Sequence, residues 1–258
     1  MKTIPLILLM QVLAISGLVP PKPTLAQKNR PGRILHDFRI QQKVRSAPIS
    51  EAAQQSVLSK VFRKYLTDEN QCNRQFVSSD SDTLRAARNA GQIVPTIADS
   101  ISGSFTAAGQ TQTAYVISVG ECNASHAENF GSKRVAIFGG QRLLADVDVD
   151  FKNNIVLKTD LNSDGIDELL MTGGDMNQGT LTEVAALVDF QNGRFKVIQD
   201  LGTVTEDSCA SGIRGATSRA SVVSVASAVP LHVPKLRVDN YETGCGRVKH
   251  WRLVPAGR

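Results

Sequence analysis

The sequence predicts an α+β protein, mainly antiparallel β, in which an incomplete blade-like β-repeat domain follows an N-terminal amphipathic helix. Three observations lead there. From residue 92 onward, short β-prone runs alternate with glycine, asparagine and aspartate. One earlier segment carries apolar residues at three- and four-residue steps, the mark of a helix packed on one side. A loop around Gly109 has a more acidic counterpart around Gly165, which implies a repeating β-unit.

In chain order, residues 1–26 read as an export signal. Lys2 precedes an apolar run from Ile4 to Val19, and Thr24-Leu25-Ala26 offers a small-residue cleavage site. The run is interrupted by Gln11 and Ser16 and falls short of the roughly 20 apolar residues a membrane span needs. The expected product is therefore secreted or periplasmic, with no transmembrane segment after cleavage. The first cysteine is Cys72, which excludes a lipid-modified N-terminal cysteine. Without Lys2 and Lys22, the 29 basic residues exceed the 24 acids by only three, too mild a balance to name a partner.

Residues 27–48 form a basic arm. Lys28, Arg30, Arg33, Arg39, Lys43 and Arg45 stand there against Asp37 alone, and a solvated, partly extended segment is expected. Phe38 is its only aromatic, so base stacking has little to work with and no nucleic acid is expected. Residues 49–91 are helical. Ser50 offers an N-cap oxygen, Glu51 places negative charge on the first turn, and Val57, Leu58, Val61, Phe62, Tyr65 and Leu66 share one face of a helix over 51–66. A shorter helix over 82–89 closes at Gly91. Residues 92–258 make the β-rich domain, with strands at 113–119, 134–138, 155–158, 168–172, 184–190, 195–198, 221–226 and 248–254. Asn192-Gly193 suits a type I′ hairpin turn, whose two central residues need positive φ.

Cys72, Cys122, Cys209 and Cys245 are an even set without Cys-x-x-Cys spacing, which in an exported chain implies two disulfides. Of the three connectivities, Cys72 with Cys122 and Cys209 with Cys245 is preferred, because each bridge closes a loop within one half of the chain. A zinc site using His126 and His250 would need thiolates that oxidising export removes. His36 and His232 sit beside apolar residues and read as structural or surface side chains. Asn123-Ala124-Ser125 is a glycosylation sequon but reads as an ordinary turn beside Cys122.

The most informative stretch is Asp160-Leu161-Asn162-Ser163-Asp164-Gly165-Ile166-Asp167-Glu168-Leu169-Leu170. Asp160, Asn162 and Asp164 supply hard oxygens at alternate positions, Gly165 permits a sharp turn, the Ile166 carbonyl is available and Glu168 can close a calcium shell. An EF-hand would place an acid at the twelfth position, where Met171 stands before Thr172-Gly173-Gly174. The run after the loop is a strand instead. These residues resemble the Asp-x-Asn-x-Asp-Gly-x-x-acid-Leu loop of FG-GAP/VCBS-type repeat proteins. That resemblance implies a structural Ca2+ held by Asp160, Asn162, Asp164, Ile166 and Glu168, with Asp167 facing solvent. It covers only this loop. Aligning Phe105 on Leu161 and Gly109 on Gly165 gives a period of 56, with Ser104, Thr106 and Ala108 in place of Asp160, Asn162 and Asp164. A closed seven-bladed propeller is too large for this chain.

No nucleophile elbow, zinc-protease helix or phosphate loop occurs. Asp146, Asp148 and Asp150 alternate with valines and so share one strand face, which a secreted hydrolase could use. The preferred reading is a non-catalytic exported module with one structural calcium, binding a protein or glycan. Mass spectrometry of the exported form should find Gln27 first. Retention of the apolar run in a membrane fraction would refute cleavage.

Overall fold

The computed structural model describes residues 31–40, 49–61, 96–118, 133–149, 152–227, 232–246 and 248–255. They form β1 (Ile34–Asp37), α1 (Glu51–Val61), β2 (Thr96–Gly103), β3 (Gln112–Ser118), β4 (Lys133–Gly139), β5 (Arg142–Asp148), β6 (Asn154–Thr159), β7 (Glu168–Asn177), β8 (Thr180–Asp189), β9 (Lys196–Asp207), β10 (Thr217–Ser227), β11 (Lys235–Gly244) and β12 (Arg252–Leu253). The fold is mainly antiparallel β, as the punctuated runs predict.

Two sheets result. Strands β2 to β5 form a four-stranded meander, and β6 to β12 follow one another in a second sheet that β1 joins through β10. The second sheet curls into a half-barrel. One edge of β10 pairs along its length with β11. Its other edge is shared, because β9 pairs only with Ser218, Arg219 and Ala220 while β1 pairs with Val222, Val223 and Ser224.

Alternation along each strand decides what packs where. Ala114 and Val116 of β3 and Val135 and Ile137 of β4 face Leu169, Met171, Ala186 and Val188 of β7 and β8. Ile117, Ala136 and Phe138 on the opposite face take Val57, Leu58 and Val61 of α1. Leu170, Ala185 and Leu187 point the other way again, into the curl, against Val223, Val225 and Leu236. The layers are thus helix, small sheet, central strands and the far limb of the half-barrel. Full burial of each such aliphatic side chain is worth about 1.5–3 kcal/mol.

The amphipathic helix starts where expected: the Ser50 carbonyl accepts the Gln54 N–H at 2.9 Å and its hydroxyl accepts the Ala53 N–H at 3.3 Å. Phe62, Tyr65 and Leu66, the expected helix at 82–89, Cys72, Cys122, Asn123, His126 and Asp150 lie outside the described residues. Among the described residues no helix is long and apolar enough to cross a membrane.

Three expectations need correction. The basic arm is not simply solvated, because Ile34–Asp37 completes the free stretch of β10, His36 is buried and Leu35 and Phe38 join the inner core. Arg39 then forks onto Asp37 at 2.9 and 2.7 Å and lies 4.2 Å from the Tyr241 ring centre, so its own charge is paired locally. The expected strand over 248–254 shrinks to Arg252–Leu253, the part that pairs with Tyr241 and Glu242. Asn192 and Gly193 do have positive φ, 56° and 72°, but within a longer connection that ends where Asp189 meets Lys196.

Burial holds the His36 imidazole below its ordinary pKa, and the neighbouring Asp37 only partly opposes this. The unfolded chain then takes up this proton first, so stability is intact above about pH 6.5 and declines as pH falls below it. Thermal midpoints between pH 7.5 and 5 should fall less steeply for His36→Gln than for the parent. Equal slopes would show that another group carries the acid limb.

Candidate metal centre

The sharp reversal between β6 and β7 comes from a short run of Asx turns. Asn162 Oδ1 accepts the Asp164 N–H at 3.1 Å, and Asp164 Oδ1 accepts the Ile166 N–H at 2.8 Å. Ser163 and Gly165 take positive φ, 59° and 85°. A Cβ at Gly165 would also crowd the first loop, standing 3.0 Å from the Ala108 Cβ. Leu161 is fully buried and anchors the loop in the half-barrel core.

Glu168, the first residue of β7, is 3% exposed and its Oε2 accepts the Leu161 N–H at 2.7 Å. Burial pushes its carboxyl up to about 7; the bonds from Leu161 and its own N–H resist, and the negative charges of Asp164 and Asp160 add to the rise. Asp160 has one buried carboxylate oxygen. Asp189 at the end of β8 is a further carboxylate in the same field. Burial raises its pKa, Gln191 N–H and Lys196 oppose this, and Asp164 contributes to the rise. Sequence reasoning missed Asp189 because only the fold brings the end of β8 beside the loop.

The loop of the first unit shares the anchor, the glycine and the register without the charge, although Ala107 does not take the positive φ of Ser163. Gln112, 2% exposed, opens β3 where Glu168 opens β7, and its Oε1 accepts the Phe105 N–H at 2.7 Å just as Glu168 accepts Leu161. The Gln112 Oε1 also takes the Thr106 N–H, and its Nε2 donates to Thr106 Oγ1. Phe105 is fully buried and Gly109 has φ +69°, matching Leu161 and Gly165. The period of 56 is therefore a structural repeat. The alignment missed its fourth position, Gln112 for Glu168, although the spacing contained it.

The two loops hold each other. Asp167 N–H donates to the Ser104 carbonyl at 2.6 Å, and Asp167 Oδ2 accepts the Ser104 N–H at 2.8 Å. Lys158 Nζ donates to the Ser102 carbonyl at 2.8 Å and lies 3.8 Å from Asp167 Oδ2. Asp99 Oδ2 accepts the Ile155 N–H at 2.9 Å. Asp167 does not face solvent as expected; its side chain is 18% exposed and clamps the small sheet to the large one. A Cβ at Gly103 would sit 2.6 Å from Asp167 Oδ2 and 2.7 Å from Phe105 Cζ, so the clamp needs glycine there.

As donors, three carboxylates, an amide and a carbonyl suit calcium chemically. In this conformation Asn162 and Asp164 serve the loop's own N–H groups, and among the described residues no three His, Cys, Asp or Glu side chains are grouped to hold a metal ion. Cys209 and Cys245 form a disulfide, as preferred, so Cys245 has no thiolate to share with His250. On the acidic face, Asp146 is engaged by Arg134 at 2.7 Å. A cleft of about 760 Å3 lies elsewhere, lined by Thr205, Glu206, Arg219, Asn240, Glu242 and Arg252 among others. Within it Arg219 reaches Glu242 at 2.7 Å and Glu206 at 3.7 Å, so its charges largely cancel.

No protein-family model, curated protein or solved structure matches this chain.

Asp167→Ala should cost roughly 1–3 kcal/mol, because it deletes a charged acceptor for a half-buried N–H. Gly103→Ala should cost a similar amount, and the double variant less than their sum, since both break one contact. Strict additivity in thermal melts would show that Gly103 and Asp167 act independently.

Proposed function

We propose that the protein is an exported, non-catalytic binding or surface-associated module in which a calcium ion on the 160–168 loop stiffens the fold. The observation that carries this reading is the neutral twin loop. Ser104, Thr106, Ala108 and Gln112 join the equivalent strands in the equivalent register without a carboxylate, so joining these strands does not by itself require Asp160, Asp164 and Glu168. Gathering three acids where one is buried costs stability unless a cation offsets it. The likeness of the loop to FG-GAP/VCBS-type repeats points the same way.

Asp160, Asn162, Asp164, the Ile166 carbonyl and Glu168 would hold the ion, which would supply positive charge and tie the β6 and β7 ends together. The partner is a protein or glycan outside the cytoplasm, an address supported by the apolar leader and the disulfide. A hydrolase acting through Asp146, Asp148 and Asp150 has less support, because Arg134 already neutralises the first of these.

The test is thermal stability with and without calcium. For a dissociation constant of about 0.1 mM, 1 mM free calcium adds roughly 1.4 kcal/mol, a rise of a few degrees. Magnesium should add less. Asp164→Ala should abolish the increment, whereas Asp167→Ala should lower the starting midpoint and keep the increment. No shift in the parent, or an equal loss of increment in both variants, would sink the reading.

A further inference from the structure

The end of the half-barrel opposite the calcium-type loop has its own chemistry. Leu181 pairs with Asp207, Asp207 with Ser218, and Thr217 with Gly244, so the β7–β8 turn, the β9–β10 loop and the β11–β12 loop all leave the sheet at this end. They are fastened together. Cys209 and Cys245 join the second and third loops, and Lys249 Nζ lies 3.9 Å from Cys209 Sγ. The first packs backbone to backbone on the second, since a Cβ at Gly179 would fall 2.7 Å from Ser211 Cα and 2.8 Å from the Ala210 carbonyl oxygen.

Each of the three reversals bares one large apolar side chain: Met176 is 62% exposed, Ile213 66% and Val248 68%. Scattered exposed apolar residues are ordinary, but three on adjoining reversals at one sheet end form a patch. The two disulfide-joined loops carry cations of their own, while Asp207 and Glu242 stand on the strands that lead into them. Residues 208–217 and 243–258 contain no Asp or Glu, and Arg214, Lys249, His250 and Arg252 are exposed there. The nearest acid on the first reversal is Asp175, one residue before Met176.

We propose that this end of the sheet docks on an anionic lipid bilayer, with Met176, Ile213 and Val248 entering the interface and Arg214 and Lys249 lying on the headgroup phosphates. Apolar tips with Arg214 beside Ile213 and Lys249 beside Val248 suit a soft, negatively charged surface. They stand on separate reversals, and none of them lines the cleft on the sheet. A second copy of the chain would bring like charges together. The surface is independent of the calcium reading, because it lies at the other end of the sheet and shares no residue with that loop.

Co-sedimentation with vesicles of phosphatidylcholine, with or without phosphatidylglycerol, tests it. The full chain should sediment with the phosphatidylglycerol vesicles and weaken with added salt. Arg214→Ser with Lys249→Ser should weaken binding roughly fivefold per cation removed. Ile213→Ser with Val248→Ser should also release it, at an unchanged thermal midpoint because both positions are exposed. The apolar leader contributes equally to every variant. Trp251, the only tryptophan, gives a second readout: its emission should shift to the blue on phosphatidylglycerol vesicles. Absence of sedimentation, binding that neither double variant changes, or a loss confined to self-association would overturn the proposal.

Discussion

Burial of the central strands on both faces is the constraint from which the rest of the architecture follows. Glu168, Leu169, Leu170, Met171 and Thr172 are all buried in succession, as are Ala185, Ala186, Leu187 and Val188 in the strand beside them. Successive side chains of a strand point to opposite sides, so such runs need cover above and below. One side is closed by the meander of β2 to β5, the other by the sheet curling back through β10 and β11. The meander has its own second apolar face, which α1 covers. Strand β1 has a related role, closing the stretch of β10 that β9 leaves unpaired.

At the junction of the two sheets, the loop carrying the chemistry also makes a mechanical contact. Asp167 binds the backbone of Ser104, while its neighbours Asp164 and Glu168 lie in one shared negative field. Loop rigidity and sheet docking are therefore coupled. The twin loops separate the cost of a shape from the cost of a charge: Gln112 and Glu168 support equivalent backbone N–H groups, one neutral and one acidic. In the first unit, amide and hydroxyl hydrogen bonds suffice. In the second, the added acids raise the electrostatic cost of the turn, and burial with the charges of Asp164 and Asp160 pushes the Glu168 carboxyl up.

The two ends of the half-barrel differ chemically. Carboxylates gather where β6 turns into β7, and cations with bare apolar side chains gather where the disulfide fastens the hairpin loops. A near-neutral chain can carry such a division because its excess of bases is small while their placement is uneven. The polar cleft on the sheet keeps its charges internally paired and does not add to either end.

Much of this fold was legible in the residues themselves. Apolar alternation, the punctuating glycines and Asn192-Gly193 specify strands and turns through local conformational preference, and the capped helix beginning at Glu51 is equally local. The turn at 160–168 and the period of 56 were legible because a turn of this kind needs particular residues at particular spacings. Partnership across the fold was decided only by tertiary structure. The basic composition around Ile34–Asp37 suggested solvation, yet a vacant stretch of β10 captured the strand. Asp167 read as exposed because its alternation is local, whereas its acceptor role comes from a loop 63 residues earlier. Asp189 and the disulfide-fastened end are likewise products of register, which sets neighbours that no short stretch of sequence contains.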